Sequence, residues 1–107
     1  MFTKFAGIQF QRIKGDIFMA SMLIQHPVKN FSAWKKEFEG VAALRKSGGE
    51  LSYQIFHDTA DANNLTLLFK WDSVANAQKF ANSPELHAAM EKAGVAGPPT
   101  IHFLNED

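Results

Sequence analysis

The chain contains no cysteine among its 107 residues. That excludes disulfides, thiolate catalysis and cysteine-based metal sites, and it fits a cytoplasmic location, which is the expectation here. An excess of charge of one sign is also missing. Eleven Lys and Arg face eleven Asp and Glu, and the densest basic piece, Lys35-Lys36, runs straight into Glu37. A chain so balanced lacks the basic footprint of a nucleic-acid binder or of a protein held on anionic membranes, so neither partner is expected. No apolar run approaches the roughly 18 residues of a membrane-spanning helix. The first twenty residues are broken by Lys4, Gln9, Gln11, Arg12 and Lys14, which makes them a poor signal peptide. Motifs of catalysis are scarce as well. There is no H-E-x-x-H pair, no phosphate-binding glycine loop, no nucleophile elbow and no pair of catalytic carboxylates. The spacing of Asp58, Asp61 and Asn63 is not that of a calcium loop.

Aromatic residues are plentiful. Ten phenylalanines and two tryptophans occur in a chain that is 46% apolar, enough large side chains for a core, a pocket or an interface. A domain of this length buries only about two-thirds of its unfolded surface. A large internal pocket is therefore costly, and pairing of two copies is a common remedy.

The patterning separates an N-terminal extension, residues 1–19, from a domain over residues 20–107. In the extension Ile8, Phe10 and Arg12 alternate with Gln9 and Gln11, as in an extra strand; Met19 is an alternative start. "SMLIQHPV" reads as a strand with Met22, Ile24 and His26 on one face and Leu23 and Gln25 on the other. "NFSAWKKEFEGVAALRKSGG" reads as one helix, capped by Asn30 or Ser32, with a stripe of Phe31, Trp34, Phe38, Val41 and Arg45 and a stop at Gly48-Gly49. Gly40 inside it marks close packing against a sheet. Leu51, Tyr53, Ile55 and His57 alternate with Ser52, Gln54 and Phe56. Leu65, Leu67, Phe69 and Trp71 alternate with Thr66, Leu68 and Lys70, and the polar loop between the two runs makes them an antiparallel hairpin. A helix capped by Asp72 or Ser73 carries Val74, Ala77, Phe80 and Ala81. Ser83, Pro84 and Glu85 open a further helix with the stripe Leu86, Ala89, Met90 and Ala93, ended by Gly94. "TIHFL" closes as a strand with Ile101 and Phe103 opposed to His102 and Leu104.

Strand, helix, strand, strand, helix pair and strand is the α+β, ferredoxin-like split β-α-β plan: a four-stranded antiparallel sheet with helices on one face. The other face carries Leu23, Phe56 and Leu68 among polar residues, which predicts burial against a second copy. The run of Trp34, Phe38, Gly48-Gly49, His57-Asp58, Asp61, Asn63, Trp71, Ser73, Ala77, Phe80, "SPEL", Ala89-Met90, "AGV", Gly97 and Pro99 resembles the dimeric α+β barrel superfamily. Within it the chain is similar to antibiotic-biosynthesis-monooxygenase-like and cyclase-like proteins over about residues 20 to 105. The resemblance implies a homodimer packed sheet to sheet, with a pocket between each sheet and its own helices. It implies a cofactor-independent monooxygenase or related enzyme acting on an aromatic, polyketide-like small molecule. It also implies a polar Asn working beside Trp residues in the pocket, for which Asn63, Asn64 and Asn76 are the candidates. The alternatives are a non-catalytic ligand-binding or structural dimer and a haem-binding protein, since a single axial His leaves no spacing signature.

The candidate catalytic residues are His26, His57 and His87, the side chains that titrate near neutrality and fall near the helix-sheet layer; His102 falls on the opposite face. The candidate ligand-binding residues are Trp34, Phe38, Tyr53, Phe69, Trp71, Phe80 and Met90, which line an aromatic pocket or fill a core. No metal ligand is assigned.

Overall fold

Period-two alternation is realised as a sheet in the computed structural model, which describes residues 20–106. Strands β1 (Ala20–Pro27), β2 (Glu50–His57), β3 (Asn64–Trp71) and β4 (Thr100–Leu104) lie in the order β2-β3-β1-β4, each pair antiparallel. Helices α1 (Phe31–Gly40), α2 (Ala42–Gly48), α3 (Val74–Ala81) and α4 (Pro84–Lys92) connect them. This is the expected α+β, ferredoxin-like plan. The strand expected in residues 1–19 lies outside the described residues.

Register builds the core in layers. Met22 pairs with Phe69 and Phe103, and Ile24 with Leu67 and Ile101, all on the side that α1 and α3 cover. Trp34, Phe38, Ala77, Phe80 and Ala81 meet them from the helices. Fully burying such a large apolar side chain is worth about 1.5–3 kcal/mol. The opposite face shows Phe56 and Leu104 to solvent, with Leu23 and Leu68 half-buried between Gln25, Gln54, Lys70 and His102.

Side-chain caps start three of the four helices. Asn30 Oδ1 accepts the Ala33 N–H at 2.9 Å, Ser73 Oγ the Asn76 N–H at 3.1 Å and Ser83 Oγ the Leu86 N–H at 3.1 Å. Each cap contributes about 1 kcal/mol. Gly94, at φ 79°, turns the chain after α4.

Three local readings change. The single helix expected from Asn30 to Ser47 is two, broken at Val41 (φ −108°, ψ 21°). The Phe38 carbonyl there accepts the Val41 N–H at 3.3 Å and also a hydrogen bond from the Arg45 guanidinium. A continuous helix would give that acceptor to Ala42. A bulge between Glu50 and Ser52 turns Glu50 inward and leaves Leu51 exposed, so strict alternation mis-assigned Leu51. Gly40 is not a close-packing site, because a Cβ there would meet nothing within 4 Å. The close approach is at Gly48, where a Cβ would stand 3.2 Å from the Trp71 indole. Gly49, at φ 124°, leaves no room for a Cβ beside the Asp72 carboxylate.

Gly40→Ala and Gly49→Ala should therefore move stability in opposite directions. Urea unfolding should show the first more stable by up to about 1 kcal/mol and the second less stable by at least that much. Shifts of the same sign would contradict this account of the α1–β2 segment.

Candidate functional site

Helical spacing aligns the first element of the site. Phe31, Trp34 and Phe38 are three and four residues apart on α1, so their rings lie along one face. Trp34 stacks on Phe38 (centroids 4.9 Å apart, planes 23° apart), and Phe31 lies 6.0 Å from Trp34 at 25°. The column is extended at both ends. His57, the last residue of β2, stacks on Phe31 at 4.5 Å. Arg45 places its guanidinium carbon 3.6 Å from the centre of the Phe38 ring.

Arg45 is itself held from three sides. Its Nε donates to Glu50 Oε2 at 2.7 Å, its Nη1 donates to the Phe38 carbonyl, and each side chain of the ion pair is only 3% exposed. A buried charge is tolerated only when paired and hydrogen-bonded like this. The α1–α2 break and the Glu50 bulge are what bring the two charges together.

Between this column, β1, β3 and α4 lies a cavity with about 50 Å³ of room for the centre of a water-sized sphere, enough for a handful of waters. Its wall is mainly apolar and aromatic, and its polar side chains are His26, Glu37 and Arg45. His26 is buried, its ring edge-on to Trp34 at 6.2 Å, and its Nδ1 has no hydrogen-bond partner. Burial pushes its pKa below the usual 6.5, opposed more weakly by the backbone of Pro27 and of His26 itself. The imidazole is thereby kept neutral at neutral pH, with a lone pair or an N–H unspent.

Of the residues singled out in the sequence, the cavity brings together His26, Trp34, Phe38, Phe69, Phe80 and Met90. The other four lie elsewhere. Tyr53 packs edge-on to Phe38 at 5.0 Å, but it is on the edge strand β2 and 42% exposed. Trp71 is fully buried beyond the cavity, against Phe80 at 4.9 Å and Gly48. His57 caps the outer end of the ring column, and His87 is exposed on α4. His102 is exposed on the open sheet face, opposite Leu23.

No Asn lines the cavity. Asn63 Oδ1 instead accepts the Phe31 N–H at 2.8 Å, tying the hairpin loop to the start of α1, and Asn76 donates to Asp72 at 3.1 Å. Asn64 is exposed at the start of β3. The Asn-with-Trp pocket that the resemblance implies is therefore not assembled from these residues. Sequence reading missed Arg45, Glu37 and Glu50 as site elements. The signal for Arg45 was present, as a charge placed on an apolar helical stripe. Among the described residues, no group of three or more His, Asp or Glu could hold a metal ion, and no helix is long and apolar enough to cross a membrane.

A four-stranded antiparallel sheet with its helices on one face, leaving a small aromatic cavity beside a buried histidine, defines an α+β ferredoxin-like module. Residues 17–92 match the model of the antibiotic biosynthesis monooxygenase family, and the chain belongs to that family. No curated protein matches the sequence. Among solved structures, the chain is similar to a candidate antibiotic biosynthesis monooxygenase from Caulobacter crescentus (21% identity, TM-score 0.66, covering 84% of this chain and 91% of that one). It is also similar to one from Bordetella bronchiseptica (16%, TM-score 0.72, 84% and 98%). A third is SnoaB, a cofactor-independent oxygenase from Streptomyces nogalater (10%, TM-score 0.68, 84% and 94%). At these identities the likeness is one of fold.

Removing one partner of the buried pair leaves the other charge uncompensated. Arg45→Met and Glu50→Leu should each cost about 3–5 kcal/mol, and the double variant should recover much of that loss. Denaturant unfolding of the double-mutant cycle measures it. Additive losses would show that the two charges do not depend on each other.

Proposed function

We propose that this chain is a cofactor-independent monooxygenase for an aromatic, polyketide-like small molecule, with neutral His26 as its base. The observation that carries the reading is His26, buried with its Nδ1 unpartnered, in the lining of a cavity walled by Trp34, Phe38 and Phe69. Family membership and the fold shared with a cofactor-independent oxygenase support it.

Neutral imidazole takes a proton from a ring CH₂ acidified by a neighbouring carbonyl, leaving a delocalised carbanion. That carbanion supplies electrons to O₂ and forms a C–O bond. The O–O bond then breaks: one oxygen stays as a new carbonyl, and the other leaves as water with the protons returned through His26. The balance is CH₂ plus O₂ to C=O plus H₂O, with the substrate as the only reductant. Trp34 and Phe38 hold the ring plane and keep bulk water from the carbanion. The second copy expected from the resemblance belongs to this proposal, and the face bearing Phe56 and Leu104 supports it as the surface of contact.

The cavity's small volume favours a second reading, a non-catalytic dimer whose pocket is filled by its own side chains. The test is oxygen uptake with 1,8-dihydroxyanthrone, without added flavin or metal and against a protein-free blank. The expected result is one O₂ per substrate, a loss of about 10²-fold or more in His26→Gln, and a rate that persists below pH 6.5 until His26 takes up its proton. Unchanged turnover in His26→Gln would remove the base, and no uptake at all would favour the non-catalytic reading.

A further inference from the structure

Met90 faces two spaces. It lines the inner cavity, and it also lines an outer groove of about 420 Å³ between α4 and β4. It is the only residue common to the two linings among the described residues. We infer that the cavity and the groove are two halves of one ligand site, with the Met90 side chain as the partition that sets how many fused rings a ligand carries. The inference rests on the reading of the inner cavity as a small-molecule site.

Two features support a movable partition, and a third suits the groove to a ligand. Helix α4, which carries Met90, contributes no buried residue; Leu86 packs half-buried on the core and an exposed Lys92 pairs with Glu37 at 3.6 Å. Methionine is unbranched and reshapes at low cost. The outer groove is chemically suited to the trailing end of a ring system, because Val95, Pro99 and Ile101 offer apolar contact while His87 and Glu91 stand one helical turn apart as polar partners. The ligand class is therefore a planar fused polycycle. Its leading ring lies in the inner cavity near His26, and its trailing ring, bearing hydroxyl groups, meets His87 and Glu91. The inner cavity at about 50 Å³ holds only a few waters, so a leading ring enters only if Met90 gives way, whereas the outer groove of about 420 Å³ is roomy.

Calorimetric titration of the full chain with phenol and with 1,8-dihydroxyanthraquinone tests this without turnover. Met90→Ala should bind the three-ring probe at least about tenfold more tightly and phenol within about threefold of wild type. Met90→Trp should weaken the three-ring probe by at least about tenfold, and by more than it weakens phenol. Thermal unfolding checks that the variants fold; should Met90→Trp not fold, Met90→Ala and Met90→Phe carry the test. Equal changes for both probes, no change in either, or no binding of either probe by any form would overturn the partition. The expected binding pattern together with no oxidation of the anthrone would keep the two-part site and end the monooxygenase reading.

Discussion

A guanidinium and a carboxylate sealed from water at 2.7 Å cost several kcal/mol to desolvate, and their attraction compensates only when the geometry is held closely. The chain around Arg45 and Glu50 reads as the means of holding it. The helix breaks at Val41, so that α2 can bring Arg45 under the end of α1. The Phe38 carbonyl accepts its Nη1 hydrogen. Gly48 and Gly49 let the chain reverse tightly against Trp71 and Asp72. The bulge at the start of β2 then turns Glu50 inward. Remove the pair and each of these departures from regular structure loses its reason.

What the pair supports is a ring column. The cation over Phe38 fixes the inner end of the stack, and successive turns of α1 carry it through Trp34 and Phe31 to His57. A side chain stacked on both faces has little freedom, so Phe38 and Trp34 form a firm wall. Against that wall stands His26, on a central strand with neighbours on both sides. Local structure, packing and chemistry are linked here through one residue. The ion pair positions Phe38, the rings exclude water, and exclusion of water keeps the imidazole neutral.

Much of the fold was legible because it rests on local rules. Ser73 and Ser83 are caps wherever they precede helical periodicity, and the alternation from Leu65 to Trp71 admits only one inward face. What was not legible depended on partners distant in sequence. A one-residue bulge is invisible to a period of two, so Leu51 was placed where Glu50 lies. Helical periodicity ran unbroken through Val41, because the hydrogen bond that ends α1 comes from a side chain four residues further on. Gly40 and Gly48 look alike in sequence; only the position of the Trp71 indole distinguishes them. Of the site, His26 and the aromatic wall followed from face assignment. Trp71 shares their face but lies one layer too far along β3, and Tyr53 shares it on a strand whose outer side is open. Asn63 was a candidate by residue type, and its carboxamide is used in fastening the hairpin loop to α1.

Family membership and a fold shared at 10 to 21% identity leave the chemistry to the residues of this chain. The claim on which the account depends is that His26 is buried and uncharged in the cavity. NMR titration of its imidazole carbons in the intact protein, assigned with His26→Gln, measures this directly. The account predicts a midpoint below 6.5, moved further by bound 1,8-dihydroxyanthraquinone. A midpoint at or above 6.5, unaffected by that ligand, would contradict it.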